Sequence, residues 1–198
     1  VFAAPRATAI DMVGQAAAKK IVEMHENGDC DGIISWAGSV GTTTTTWAMR
    51  ALPFGVPKIM LTDMASSDVS MWMGNKDICF LNPTAEQGIN AVTTRIVRPA
   101  CAGIVAMAQT PPPPVGTRPL AAITSYGTTT PTVLRCADAL DDKGWDSTIF
   151  HAVGVGATME DLVRSGIITA VLDITPGEIT NNMFGSPYGN PKTWLAER

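Results

Sequence analysis

The sequence predicts an α/β protein of two Rossmann-like lobes with mainly parallel sheets, and three observations carry that prediction. Short apolar runs alternate with amphipathic stretches from residue 10 to residue 174. The runs are near-continuously apolar rather than alternating, as strands buried on both faces of a parallel sheet are. The pattern is interrupted at Pro111-Pro112-Pro113-Pro114, a stretch that can neither continue a helix nor enter a central strand. The expected organisation is a first lobe over 1–109, a Pro-rich linker over 110–119 and a second lobe over 120–198.

Taken in order, Ile10, Val13, Ala17, Ile21 and Met24 recur at helical spacing and stop at Asn27-Gly28, a helix-terminating pair. A strand over 32–37 leads into a threonine-rich helix that runs to about residue 52. Pro53 and Pro57 bracket a turn into a strand over 58–63, and a polar loop over 64–76 precedes a strand over 77–81. Asn82-Pro83 has the form of an N-cap followed by proline, which predicts a long helix that Pro99 kinks or splits. After the linker come a strand over 120–125, a helix to about residue 142 and a strand over 147–153. A helix over 158–165 and a strand over 169–174 follow, with a Gly/Pro/Asn-rich tail and a short helix near Trp194. The second lobe echoes the first: a strand with isoleucine, a glycine, a threonine run and a helix with arginine. That echo would turn both threonine loops towards one ligand cleft at the carboxyl ends of the strands.

Composition narrows the function classes. At 198 residues the chain can bury a substantial core. A net charge of −4 with no Lys/Arg cluster argues against nucleic acid or an anionic membrane surface as partner. Cys30, Cys79, Cys101 and Cys136 lie far apart and only two histidines are present, so no zinc site is expected and reduced thiols are. No signal-peptide pattern opens the sequence and the longest apolar stretch, 100–108, is too short to span a bilayer, which predicts a cytoplasmic protein.

The most informative segment runs from Gly32 to Arg50, where an apolar strand enters Gly38-Ser39-Val40-Gly41 and then five threonines. A strand, a tight turn and a helix start aim backbone N–H groups at one point, as anion sites do. Threonine is a poor helix former, up to ~0.7 kcal/mol worse than alanine per position. Several in a first turn therefore suggest ligand-binding hydroxyls and, most directly, a small anionic ligand. Capping by Thr42 alone would explain one hydroxyl and not five. The segment lacks the Gly-Lys-Thr of a Walker loop and the full G-x-G-x-x-G fingerprint.

Three further strand ends are chemically distinctive. In Tyr126-Gly127-Thr128-Thr129-Thr130-Pro131, Thr130 reads as an N-cap with Pro131 behind it, which leaves Thr128 and Thr129 spare. His151 ends a strand before a glycine-rich turn, a position suited to general acid–base work and equally to a histidine satisfied by backbone carbonyls. Thr158 with Asp161 matches a capping box, which would give Glu160 a first-turn role unless it points back at His151. Asp173, beside Pro176-Gly177, could hold a metal or a ribose hydroxyl, or cap an Asx turn. Asp63 follows the first glycine loop at about the interval of a ribose-binding acid. The loop holding Ser67, Asp68, Met71 and Trp72 suits a cover over a cleft or a dimer contact.

The combined motifs resemble the ATP-binding domain family typified by the N-terminal region of the tomato mosaic virus resistance protein. The resemblance rests on Asp31-Gly32-Ile33-Ile34, the turn from Gly38 to Thr42, and the run from Ala48 to Lys58. It continues through Asp63-Met64-Ala65-Ser66-Ser67-Asp68-Val69 and Gly74-Asn75-Lys76-Asp77-Ile78. It resumes at Ile123-Thr124-Ser125-Tyr126-Gly127-Thr128-Thr129-Thr130-Pro131, Phe150-His151-Ala152-Val153-Gly154 and Leu172-Asp173-Ile174. Where relatives read Gly-Gly-Ser-Gly-Gly-Thr, this chain has Ala37-Gly38-Ser39-Val40-Gly41-Thr42, so Val40 adds a side chain where a ligand would approach the backbone. Relatives also carry a βα region before the first helix and more sequence after the end. An edge strand left open in this way would be covered by a second copy or a partner chain.

The resemblance implies a two-lobed protein that binds ATP, with or without magnesium, and self-associates. In that reading Gly38, Ser39, Gly41, Thr42 and Thr43 hold phosphates, with Asp63, Ser67 and Asp68 near the ribose or metal. Gly127, Thr128 and Thr129 complete the cleft. Without a P-loop lysine, hydrolysis is expected to be weak or absent. The alternative is a hydrolase or carbon–carbon lyase on a small carboxylate or phosphorylated metabolite. There His151 would be the general base, oriented by Glu160 or Asp173, with the threonine loops as anion clamp. An interaction scaffold whose loops merely cap helices is the third possibility.

Overall fold

The computed structural model describes residues 5–111 and 116–186 and divides the chain at Pro112/Pro113 into two compact units. Both are α/β with parallel sheets and are described separately. Most of the tetraproline spacer and the segment around Trp194 lie outside the described residues.

In the first unit, helix α1 (Arg6–Glu26) precedes β1 (Ile33–Trp36), α2 (Ser39–Ala51), β2 (Lys58–Leu61), a 3-10 turn (Asp63–Ser66), α3 (Ser70–Met73), β3 (Cys79–Leu81) and α4 (Thr94–Gln109). The strands pair in the order β1-β2-β3, all parallel, with Ile33 opposite Lys58 and Ile59 opposite Cys79. The two-residue period of a strand sends alternate side chains to opposite helices. Ile34, Trp36, Ile59 and Leu61 pack against Ile96, Val97, Ala100 and Ile104 of α4. Ile33 and Met60 face the other way, against Met49 of α2, with Ile78 and Phe80. β2 is therefore buried on both faces, which is why its sequence is apolar without alternation.

α1 lies along α2, and Gly14 allows the approach: an added Cβ there would stand 2.5 Å from Cδ1 of Trp47. At the amino end of β2, the fully buried Lys58 gives its ammonium protons to the carbonyls of Pro53 (2.8 Å) and Val56 (2.7 Å) and to Asp77 Oδ1 (2.8 Å). The other oxygen of Asp77 accepts the N–H of Gly55, whose φ of +86° a side chain would strain.

The second unit runs β4 (Leu120–Ser125), α5 (Thr130–Asp141), β5 (Asp146–His151), α6 (Gly156–Arg164), β6 (Ala170–Leu172) and α7 (Gly177–Met183). Its parallel sheet has the order β5-β4-β6, with Ser125 opposite His151 and Ile123 opposite Leu172. Ala122, Phe150 and Val171 pack with Met159, Leu162 and Val163 of α6 and with Ile168.

Five expectations change. Asn82-Pro83 does not start a helix; α4 begins at Thr94, after a turn in which Asn90 Oδ1 accepts the N–H groups of Val92 and Thr93. α4 runs unbroken through Pro99, since the buried face holding Ala100 and Ile104 outweighs one missing backbone bond. α5 has Thr129 rather than Thr130 at its N-cap position. α6 starts at Gly156, which places Thr158 inside the helix and removes the capping box. The helix α7 falls in the stretch expected to be an irregular tail.

Candidate anion site at the amino end of α2

The turn from Gly38 to Gly41 is the first turn of α2. Gly38 is the N-cap and offers no side chain to it. The first N–H groups of a helix have no intrahelical partner, and this helix starts at the carboxyl end of a parallel sheet, where ligands of open α/β folds collect. The amides of Ser39, Val40 and Gly41 thus form a positive helix end without a side-chain cap. Gly41 is close-packed, since a Cβ there would meet the Cβ of Ala37.

The threonine hydroxyls all have protein partners. Thr42 is completely buried; its Oγ1 donates to Thr62 Oγ1 at 2.8 Å and lies 2.9 Å from the carbonyl of Gly38. Thr43 donates to the carbonyl of Ser39 and accepts the indole N–H of Trp72, both at 3.0 Å. Thr44 donates to the carbonyls of Val40 and Gly41, Thr46 to that of Thr43, and Thr45 meets Ser35 at 3.2 Å. This back-bonding, with the branched side chains packed on a strand and a neighbouring helix, accounts for the poor helix formers in this run. The hydroxyl left without a partner among the described residues of this turn is that of Ser39, which is exposed.

Asp63 is exposed at the carboxyl end of β2, and its Oδ1 lies 3.4 Å from the Thr62 hydroxyl. Ser67 donates to the carbonyl of Met64, and Asp68 accepts the N–H of Ser70 at 2.8 Å at the start of α3. That N–H holds the Asp68 carboxyl below the usual carboxylate range. Two contributors escaped the sequence reading. Thr62 could have been suspected from its place beside Asp63 at a strand end. Glu86 carries no such signal, yet its Oε1 occupies the position that a Cβ on Gly38 would take.

In the second unit, Thr124 donates to Asp173 Oδ1 at 2.6 Å and accepts the N–H of Thr175, so Asp173 is tied to the central strand. Thr129 meets Thr175 at 2.6 Å and accepts the N–H of Tyr126, while Gly127 and Thr128 are exposed. His151 is exposed at the end of β5, with its ring edge-on to Tyr126 at 5.7 Å. Neither Glu160 nor Asp173 hydrogen-bonds its imidazole among the described residues. Glu160 is buried inside α6, 3.9 Å from Arg164, and Asp173 lies across β4 from β5. The acid at the amino end of α6 is Glu178 of α7, whose Oε1 accepts the N–H groups of Val155 (2.9 Å) and Gly156 (3.0 Å). Among the described residues no three His, Cys, Asp or Glu side chains converge to hold a metal ion, and no helix is long and apolar enough to cross a membrane.

Comparison with known proteins places the sequence in a family. Residues 1–113 match the N-terminal domain of the Uncharacterised protein family (UPF0261), and residues 118–193 match its C-terminal domain. The chain belongs to the UPF0261 family. A UPF0261 protein of Clostridium tetani is 37% identical over 177 residues, covering 88% of this chain and 43% of that protein. A Rhizobium meliloti member is 35% identical over 182 residues, covering 91% and 45%. The ToMV resistance protein Tm-1 of Solanum lycopersicum is 31% identical over 192 residues, covering 93% and 26%. The chain thus spans less than half the length of these curated relatives, and the expected kinship with the tomato resistance protein holds at the level of family.

Proposed function

We propose that this chain binds a small anionic ligand, with the phosphate of a nucleotide such as ATP as the leading candidate, at the amino end of α2. The observation that carries the reading is a glycine N-cap with no side chain, placed where the parallel strands end. The amides of Ser39, Val40 and Gly41 and the Ser39 hydroxyl make the contacts. Thr42 and Thr43 act one step back: they fix the helix end to Thr62 and Trp72, so the donors are held in place before a ligand arrives. Asp63 and Glu86 bring negative charge to the same end, so a polyphosphate enters as its magnesium complex. Without a P-loop lysine in the turn from Gly38 to Thr42, the site binds with weak or no hydrolysis. The catalytic alternative has less support, because the ring contact described for His151 is with Tyr126.

A thermal-shift titration with ATP, ADP, phosphate and small carboxylates, with and without magnesium, tests this on the wild type and on Gly38→Asp. The new carboxylate would cap α2 and take the place of the anion; Gly38 has ordinary φ and ψ, and the added Cβ requires the flexible carboxylate end of Glu86 to swing away. A ligand at 100 times its dissociation constant adds ~2.7 kcal/mol, a shift of several degrees. A shift with magnesium-ATP in the wild type, lost in Gly38→Asp while the variant stays folded, is the expected result. A shift with carboxylates alone would replace the nucleotide by a carboxylate ligand, and an equal shift in both proteins would remove the ligand from α2.

A further inference from the structure

Between β3 and α4 the chain passes over the amino end of α2 as a strap that is tied at both ends and free in the middle. At one end Asn82 Oδ1 accepts the N–H of Thr84 at 2.8 Å. At the other, the completely buried Thr93 donates to the carbonyl of Gly88 at 2.6 Å and accepts the N–H of Asn90. Between these knots Ala85, Glu86 and Gln87 make no hydrogen bond, through main chain or side chain, among the described residues. The residues that bracket them have left-handed backbones: Gly88 with a φ of +91°, and Thr84 with +61°, the one non-glycine residue of positive φ among the described residues. A β-branched residue is strained there, and such strain collects in segments that change conformation.

The free middle carries a charge. Glu86 lays its carboxylate against Gly38, with its Cδ 3.1 Å from where a Cβ on that glycine would stand. It is the protein's own anion beside the positive end of a helix, yet it accepts no hydrogen bond from the first amides of α2. A second seat lies beside the first hinge of the strap. Thr84 and Arg95 line one depression of about 440 Å³, together with Ala91, Val92 and Ile96. Arg95 is exposed, and its guanidinium has neither an ion pair nor a hydrogen bond among the described residues.

We infer that residues 84–87 form a switch with two seats for one carboxylate: Glu86 covers the amino end of α2 while it is empty, and moves to Arg95 when an anion takes its place. Backbone rotation at Thr84 and Gly88 carries the exchange, and the knots at Asn82 and Thr93 keep it from spreading to β3 and α4. At Arg95 the carboxylate gains a charge-assisted partner that it lacks at Gly38, which offsets leaving the helix end. The charge of Glu86 thus faces a ligand during entry and is withdrawn on binding, so a strongly charged group such as a phosphate displaces it more readily than a weakly charged one. The ligand half of this inference rests on the proposed site at α2; the two seats do not.

Titration with magnesium-ATP and with inorganic phosphate, on the wild type, Glu86→Gln, Arg95→Ala and the double variant, reads the switch through affinity. Removing the tethered competitor should tighten binding ~10-fold, as for a protein whose competent form is about one molecule in ten. Arg95→Ala should weaken binding several-fold in the wild type and leave the affinity of Glu86→Gln unchanged. An equal loss in both backgrounds would put Arg95 on the ligand, and an unaltered affinity in Glu86→Gln would leave the carboxylate without influence; either result overturns the switch. A second measurement needs no ligand. Gly38→Asp drives Glu86 from its seat, so the side-chain Nε resonance of Arg95 in a nitrogen NMR spectrum should shift in that variant and return in Gly38→Asp/Glu86→Gln. An Arg95 resonance blind to Gly38→Asp would overturn the proposal. The shift without binding of either probe would uphold the switch and remove the ligand from α2 instead.

Discussion

The hydroxyl of Thr42 donates to that of Thr62 across 2.8 Å, and both threonines are sealed from solvent. One stands in the first turn of α2 and the other just beyond β2, so a single bond ties the start of a helix to the end of the neighbouring strand. Thr62 also accepts the N–H of Met64, which carries the constraint into the 3-10 turn bearing Asp63.

Thr42→Val keeps the shape and removes the donor. It is expected to lower stability by ~1–2 kcal/mol, because Thr62 keeps a buried oxygen with one partner fewer. Thr62→Val should cost a similar amount, and the double variant less than the sum. Chemical denaturation of the four proteins checks this; strict additivity would mean that the two hydroxyls do not act on each other.

Lys58 supplies the second prediction. Lys58→Met leaves two part-buried carbonyls and Asp77 without their cation, so a loss of ~3 kcal/mol at neutral pH is expected. Burial pushes the ammonium below its ordinary value of 10.5, with Asp77 opposing. Between the folded value and 10.5 the unfolded chain therefore binds the extra proton. Stability arising from this shift is full above 10.5 and is lost as the pH falls through the folded value. The gap between wild type and Lys58→Met should accordingly widen with rising pH in that window. Denaturation midpoints of both proteins at several alkaline pH values would show it, and a constant gap would contradict it.

The third concerns Glu178, which closes the amino end of α6 from another helix. Glu178→Ala should cost ~2 kcal/mol, since one buried and one part-buried N–H lose a charged acceptor. Glu178→Gln, which keeps an oxygen, should recover part of that. Amide exchange at Val155 and Gly156 reports the site directly: faster exchange in the alanine variant is expected, and no change would assign those amides another partner.

The strands were legible because a parallel strand buried on both faces writes itself as an apolar run; β4 falls on the expected 120–125. The starts of α4 and α6 were not, because packing and a distant acid set them rather than the local cap pattern. Thr158 with Asp161 has the spacing of a capping box, but the acid that closes α6 is 22 residues beyond Gly156. Asn82-Pro83 has the local form of a helix start, yet the apolar face that holds α4 begins at Ile96. The same limit applies at the candidate site. Sequence marked Gly38 and the threonines, but not that Thr42 turns inward towards Thr62 or that Glu86 lies over Gly38.

The acid bond between α7 and α6 also bears on how the second unit comes into being. As the chain is synthesised, Val155 and Gly156 emerge well before Glu178, so α6 first exists with its leading amides turned to water. Its start is secured only after β6 and the first turn of α7 have followed. A contact spanning that much chain carries a closure cost that a local cap does not, so the last described helix sets when the one before it becomes firm.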